Sequence, residues 1–80
     1  MTNTEILANL PALSFDRLAI AYGIAEGRAH AAKRGTGAYG RALALRGRIV
    51  DEVSSRGAVV RKAADGGYMV GRPSDFEPIR

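Results

Sequence analysis

The spacing of apolar and polar residues divides the 80-residue chain into helical segments followed by a stretch of different period. A short helix is predicted over residues 4–9, with Thr2 and Glu5 at the spacing of a capping box. Leu10–Pro11 ends it, because proline disfavours helical geometry in the residue before it. Ser14 is a good N-cap for a second helix, and Asp16 suits the positive end of its dipole. Over residues 15–34, Phe15, Leu18, Tyr22, Ala25, Ala29 and Ala32 form one apolar stripe, while Ile20, Ile24 and Ala31 form a second on nearly the opposite side. Two stripes imply either one helix held between two elements or two helices broken at Gly23.

Gly35-Thr36-Gly37 interrupts the pattern, with Thr36 able to cap a third helix over residues 38–56. Its apolar positions are Tyr39, Ala42, Leu43, Ile49, Val50 and Val53, and Arg46 falls inside that sector, where it must snorkel or meet a partner. Gly57 is placed as the C-terminal stop. Residues 58–64 (AVVRKAA) and 67–72 (GYMVGR) are short β-prone runs flanking Asp65-Gly66, a strong hairpin signal. An isolated ribbon is marginal in water, so it should lie on the helices or on a partner. The expected fold is α+β, mainly α: three helices and a C-terminal β-hairpin in one domain over residues 1–72. Residues 73–80 (PSDFEPIR) form an irregular tail in which Phe76 and Ile79 can tuck onto the core.

Composition narrows the function classes. The chain has no cysteine and one histidine, His30, which excludes disulfides, a thiolate nucleophile and cysteine- or multi-histidine metal sites. Asp51 and Glu52 are adjacent, so a helix points them about 100° apart rather than together, and local pairs with Arg48 or Arg56 fit them better. Nothing forms a catalytic constellation, and the expectation is a non-enzymatic protein without cofactors or metal. No apolar run nears the roughly 18 residues of a membrane span, and no secretion signal is visible, so a cytoplasmic protein is expected.

The net charge of +4 is unevenly spread: −2 over residues 1–16, +7 over 17–62 and −1 over 63–80. Residues 27–50 hold no acid, yet contain Arg28, Lys33, Arg34, Arg41, Arg46 and Arg48. Such a block attracts nucleic-acid phosphates or acidic protein surfaces. The bland alternative is that GC-rich coding would by itself raise the arginine and alanine content, leaving a solvated basic face without function.

At the centre of the block, residues 35–40 (GTGAYG) match G-x-G-x-x-G literally. A dinucleotide fold would need a preceding strand and repeated βαβ units, which 80 residues with a helix before the motif do not supply. What remains is a glycine-rich turn, Gly35, Thr36 and Gly37, at a helix start flanked by Lys33, Arg34 and Arg41, able to hold one phosphate or simply to connect two helices.

Ala19, Gly23 and Ala29, with Leu18, Tyr22 and Ile24 at the apolar positions, occupy the small-residue slots of a helix-turn-helix. The segment DRLAIAYGIAEGRAHAAKR (residues 16–34) resembles the bihelical core of a helix-turn-helix regulator, and the Asp65-Gly66 hairpin then resembles the wing of a winged-helix domain. That resemblance implies a second helix in the major groove presenting Glu26, Arg28, His30, Lys33 or Arg34, with Arg61 and Lys62 of the wing on the backbone. The other reading of the same residues is one long helix in an antiparallel pair.

The leading expectation is therefore a small nucleic-acid-binding module, DNA first, using Arg28, His30, Lys33, Arg34, Arg41 and Arg48 with Arg61 and Lys62. The alternative is a protein-interaction module, an adaptor or small inhibitor of the phage or mobile-element accessory kind, addressing an acidic surface. A homodimer paired through the Gly23–Gly27 and Ala25–Ala29 spacing is a third.

Overall fold

A computed structural model describes residues 2–76. It contains three α-helices, α1 (Asn3–Asn9), α2 (Phe15–Ala31) and α3 (Gly37–Ser55), then strands β1 (Val59–Lys62) and β2 (Tyr68–Gly71). Single 3-10 turns occupy Leu10–Ala12 and Pro73–Phe76. The architecture is the expected mainly helical α+β class with a C-terminal hairpin.

The helix starts follow from capping chemistry. The Thr2 hydroxyl accepts from the Glu5 amide at 3.1 Å while the Thr2 amide donates back to the Glu5 carboxylate at 3.3 Å, a complete capping box. Ser14 accepts from the Arg17 amide at 3.2 Å, and Thr36 from the Tyr39 amide at 3.3 Å. Helix α3 stops at Gly57, whose φ of +70° suits glycine; the amides of Gly57 and Ala58 return to the carbonyls of Ser54 and Val53 at 3.0 and 3.1 Å. These two bonds are the Schellman pattern, and they turn the chain back toward the helices.

Helices α2 and α3 run antiparallel. At one end the five-residue span 32–36 connects them, midway Glu26 meets Arg46, and at the other end Arg56 reaches the carbonyls of Leu10, Pro11 and Leu13. Leu18, Ala21, Ala25 and Ala29 of α2 are buried, as are Ala42, Leu45, Ile49 and Val53 of α3. The alanines bring the two backbones close, and the larger side chains of α3 fill the space they leave. Helix α1 lies along α3 in the same direction, Asn3 lining a groove with Arg41; α1 buries Ile6 and the 3-10 turn after it buries Leu10 in the shared core, with Pro11 near Ser55.

The hairpin is antiparallel, with Val60 opposite Val70 and Arg61 opposite Met69. Its connection is a three-residue loop: Gly66, at φ +91°, donates to the Ala63 carbonyl at 3.0 Å, and the Ala63 amide donates to Gly67 at 2.7 Å. A left-handed glycine closing such a loop is the bulged hairpin turn that Asp-Gly sequences favour. Asp65 accepts from the Gly67 amide at 2.9 Å. The ribbon lies on α2, where the rings of Tyr68 and Tyr22 meet edge to face with centroids 4.7 Å apart.

Three expectations need correction. Helix α2 is unbroken at Gly23, so residues 15–34 do not form a helix-turn-helix. Gly23 serves packing instead, since a Cβ there would lie 3.6 Å from the Tyr68 ring. The second stripe belongs to a helix held between α3 and the hairpin, with Ile24 packed against the core and Ile20 left 57% exposed. Helix α2 also ends at Ala31, with Ala32 extended, so Lys33 and Arg34 lie in the interhelical turn and not on a helix. In α3, Leu45 rather than Val50 belongs to the buried face. The tail reading falls partly outside the described residues. Phe76 returns to the hairpin beneath Arg61, whose guanidinium lies 5.5 Å from its ring centre, and Ile79 is not among the described residues.

Candidate anion-binding surface

The interhelical turn forms because its polar groups satisfy one another. The Thr36 amide and hydroxyl both donate to the Lys33 carbonyl, at 3.2 and 2.6 Å, and Gly35 takes φ +85°. This geometry exposes Lys33, Arg34, Gly35, Thr36 and Gly37 together at one end of the helical pair. Arg41 stands one turn into α3 and folds back over its start: a Cβ at Gly37 would sit 3.0 Å from the Arg41 Nη1. Three cations and the capped start of α3 thus share one end of the molecule.

The rest of the basic block separates onto different faces. Arg41 and Arg48, seven residues apart on α3, border the groove beside α1. Arg28 faces the same side, donating from Nη1 to the Asn3 side-chain oxygen. His30 lies on the opposite flank of α2 with its imidazole Nε2 3.7 Å from Glu26 and its side chain 83% exposed. Arg34 shares that flank, lining a hollow with His30, Tyr39 and Arg46. Arg61 and Lys62 are exposed on β1, which belongs to the ribbon lying on the middle of α2. The expected site residues therefore form one cluster at the turn, a pair along α3, and separate positions on α2 and the hairpin.

Charge pairing distinguishes these groups. Arg46 meets Glu26 at 2.6 Å, and Arg56 meets Glu52 at 2.8 Å. The first pair answers the question of a cation in an apolar sector. The Glu26 hydrogen bond holds the Arg46 guanidinium more firmly protonated than usual, and burial with the Glu26 charge nearby pushes the Tyr22 phenol up. Lys33, Arg34, Arg41, Arg48 and Lys62 have no ion-pair partner among the described residues.

Glu26, a groove-facing residue under the helix-turn-helix resemblance, is instead the ion-pair partner of Arg46, a role the sequence reading did not assign. Its position four before His30 is a helical pairing signal, but its principal partner, Arg46, lies twenty residues away across the helix interface. Among the described residues no three metal-ligating side chains cluster, and no helix is long and apolar enough to cross a membrane. In comparisons with known proteins, no family model, no curated protein and no solved structure matches the chain.

Proposed function

We propose that this chain is a small non-enzymatic module that binds nucleic acid, duplex DNA first, by its phosphates rather than by a helix-turn-helix. The observation that carries this reading is the exposed, unneutralised set Lys33, Arg34 and Arg41 around the 33–37 turn, continued along α3 by Arg48. Unpaired cations beside the amides of a helix start suit a phosphate oxygen. Phosphate contacts position a protein without reading bases, so sequence preference should be weak. Each neutralised phosphate releases condensed counterions, so affinity should fall steeply with salt. The test is a gel-shift series with duplex DNA at two salt concentrations, for the native chain and for Lys33→Gln/Arg34→Gln/Arg41→Gln. Loss of binding in the triple variant supports the reading, and no binding by the native chain at low salt overturns it.

A second reading is a protein-interaction module. The exposure of Ile20 and Met69, 57% and 43%, favours it, because both are large apolar side chains on the hairpin-bearing side of the molecule. An interaction captured from lysate that survives nuclease treatment would favour this reading over the first.

A further inference from the structure

We infer that the hollow where Glu26 meets Arg46 takes one unpaired base of a nucleic-acid strand whose phosphates lie on the 33–37 turn. The inference rests on the nucleic-acid reading and adds to it a site for a base. The hollow measures about 260 Å³ and is lined from both long helices and from the turn between them. Sites for drug-sized ligands run from roughly 300 Å³ upward, so this one suits a ring system rather than a whole nucleotide. Ala29 and Leu43 give it apolar surface, and His30 of α2 and Tyr39 of α3 each contribute an aromatic ring.

The charged groups decide what the hollow can hold. They are Glu26, Arg34 and Arg46, with His30 joining them when protonated. Arg46 donates from Nη1 to the Glu26 Oε1 at 2.6 Å, so the charges of that pair offset each other. The second carboxylate oxygen, Oε2, lies 3.7 Å from the His30 Nε2, beyond hydrogen-bond length. It accepts no hydrogen bond among the described residues. A phosphate inside the hollow would suit Arg34 but face the Glu26 carboxylate, and a cationic group would face two guanidiniums. A neutral planar group with an N–H donor for Oε2 and a face for the His30 or Tyr39 ring meets neither objection.

The pairing edge of a base carries such a donor beside an acceptor, and it is free only when the base is unpaired. Arg34 belongs both to the hollow and to the exposed turn with Lys33, so it joins a site for a base to a site for phosphate. One nucleotide makes the same short connection. Stacking on aromatic rings tolerates any base, which agrees with weak sequence preference.

The proposal is tested by fluorescence anisotropy at low salt with labelled oligothymidylate and with an abasic strand of the same length, which keeps the phosphates and lacks the bases. Circular dichroism checks that each variant folds. The native chain should bind oligothymidylate about tenfold or more tightly than the abasic strand, as stacking contributes. His30→Ala and Tyr39→Ala should each reduce that ratio several-fold. The His30 side chain is 83% exposed, so its removal does not disturb the core. Lys33→Gln/Arg34→Gln/Arg41→Gln should weaken the binding of both strands. Equal affinity of the native chain for the two strands, or a ratio that survives both ring substitutions, overturns this inference and leaves the phosphate reading standing. Displacement of the oligothymidylate by an equal concentration of free thymidine monophosphate also overturns it, since the strand is then not the ligand. A native chain that binds neither strand nor duplex DNA overturns both readings.

Discussion

The Nη1 of Arg56 donates to the main-chain oxygen of Leu13 at 2.6 Å, joining positions 43 residues apart. Its Nη2 reaches the carbonyls of Leu10 and Pro11 at 3.0 and 3.3 Å, while Glu52 holds Nε at 2.8 Å. One guanidinium thus satisfies the carbonyls of the turn between α1 and α2 and fastens that turn to the end of α3. Arg56→Ala should lower stability by about 2 kcal/mol, since several partly buried acceptors lose their donor. Arg56→Lys should recover less than half, because an ammonium cannot span the same fork of acceptors. Urea denaturation of the three proteins measures both.

Glu26 and Arg46 are coupled across the helical pair. The Glu26 side chain is only 15% exposed, so removing Arg46 leaves a mostly buried carboxylate without its main partner. A double-mutant cycle with Glu26→Gln and Arg46→Met should return a coupling of about 1 kcal/mol. A coupling near zero would show that the two side chains act independently.

Two glycine substitutions should have opposite signs. Gly27 lies inside α2 with open space where a Cβ would stand, so Gly27→Ala should stabilise by about 0.5–1 kcal/mol. Gly57→Ala should destabilise by about 1 kcal/mol or more, because φ +70° strains an L-residue. Thermal unfolding of the two variants distinguishes packing-neutral glycine from conformationally required glycine.

The capping box of α1 should respond to acid. The Thr2 hydroxyl donates to the Glu5 carboxylate at 3.0 Å, and this bond with that of the Thr2 amide holds the carboxyl below its ordinary pKa. Folded chain therefore takes up this proton less readily than unfolded chain. The stabilisation is present above the unfolded value of 4.5 and is lost as pH falls through the lower folded value. An NMR titration should place the Glu5 midpoint below that of an unfolded peptide. In Thr2→Val the midpoint should move back up, and an unchanged midpoint would contradict the hydrogen-bond cause.

Local chemistry was legible in the sequence wherever a signal and its effect lie within a few residues. Thr2, Ser14 and Thr36 cap the helices, Gly57 stops α3, and Asp65-Gly66 turns the hairpin, each through bonds spanning one turn of chain. The role of Gly23 was not legible, because glycine serves equally in a turn and in a close contact, and Tyr68, 45 residues on, decides between them. The faces of the basic block were hidden for a related reason. The length of α2 determines that Lys33 and Arg34 leave the helix, while Arg28 and His30 point to opposite flanks. The clamp of Arg56 on residues 10–13 has no local signature, since its acceptors are backbone carbonyls and any sequence supplies those.

That clamp has a kinetic consequence. Much of the fold joins elements that are neighbours along the chain: α2 pairs with α3, α3 continues into β1, and β1 pairs with β2, while the packing of β2 on α2 is a chain-distant contact. Folds built from such local pairings form rapidly, because little chain entropy is lost before contacts are made. The bond from Arg56 to Leu13 also joins chain-distant positions, and it should form after the helical pair has assembled. Arg56→Ala should then leave the folding rate nearly unchanged and act mainly by accelerating unfolding.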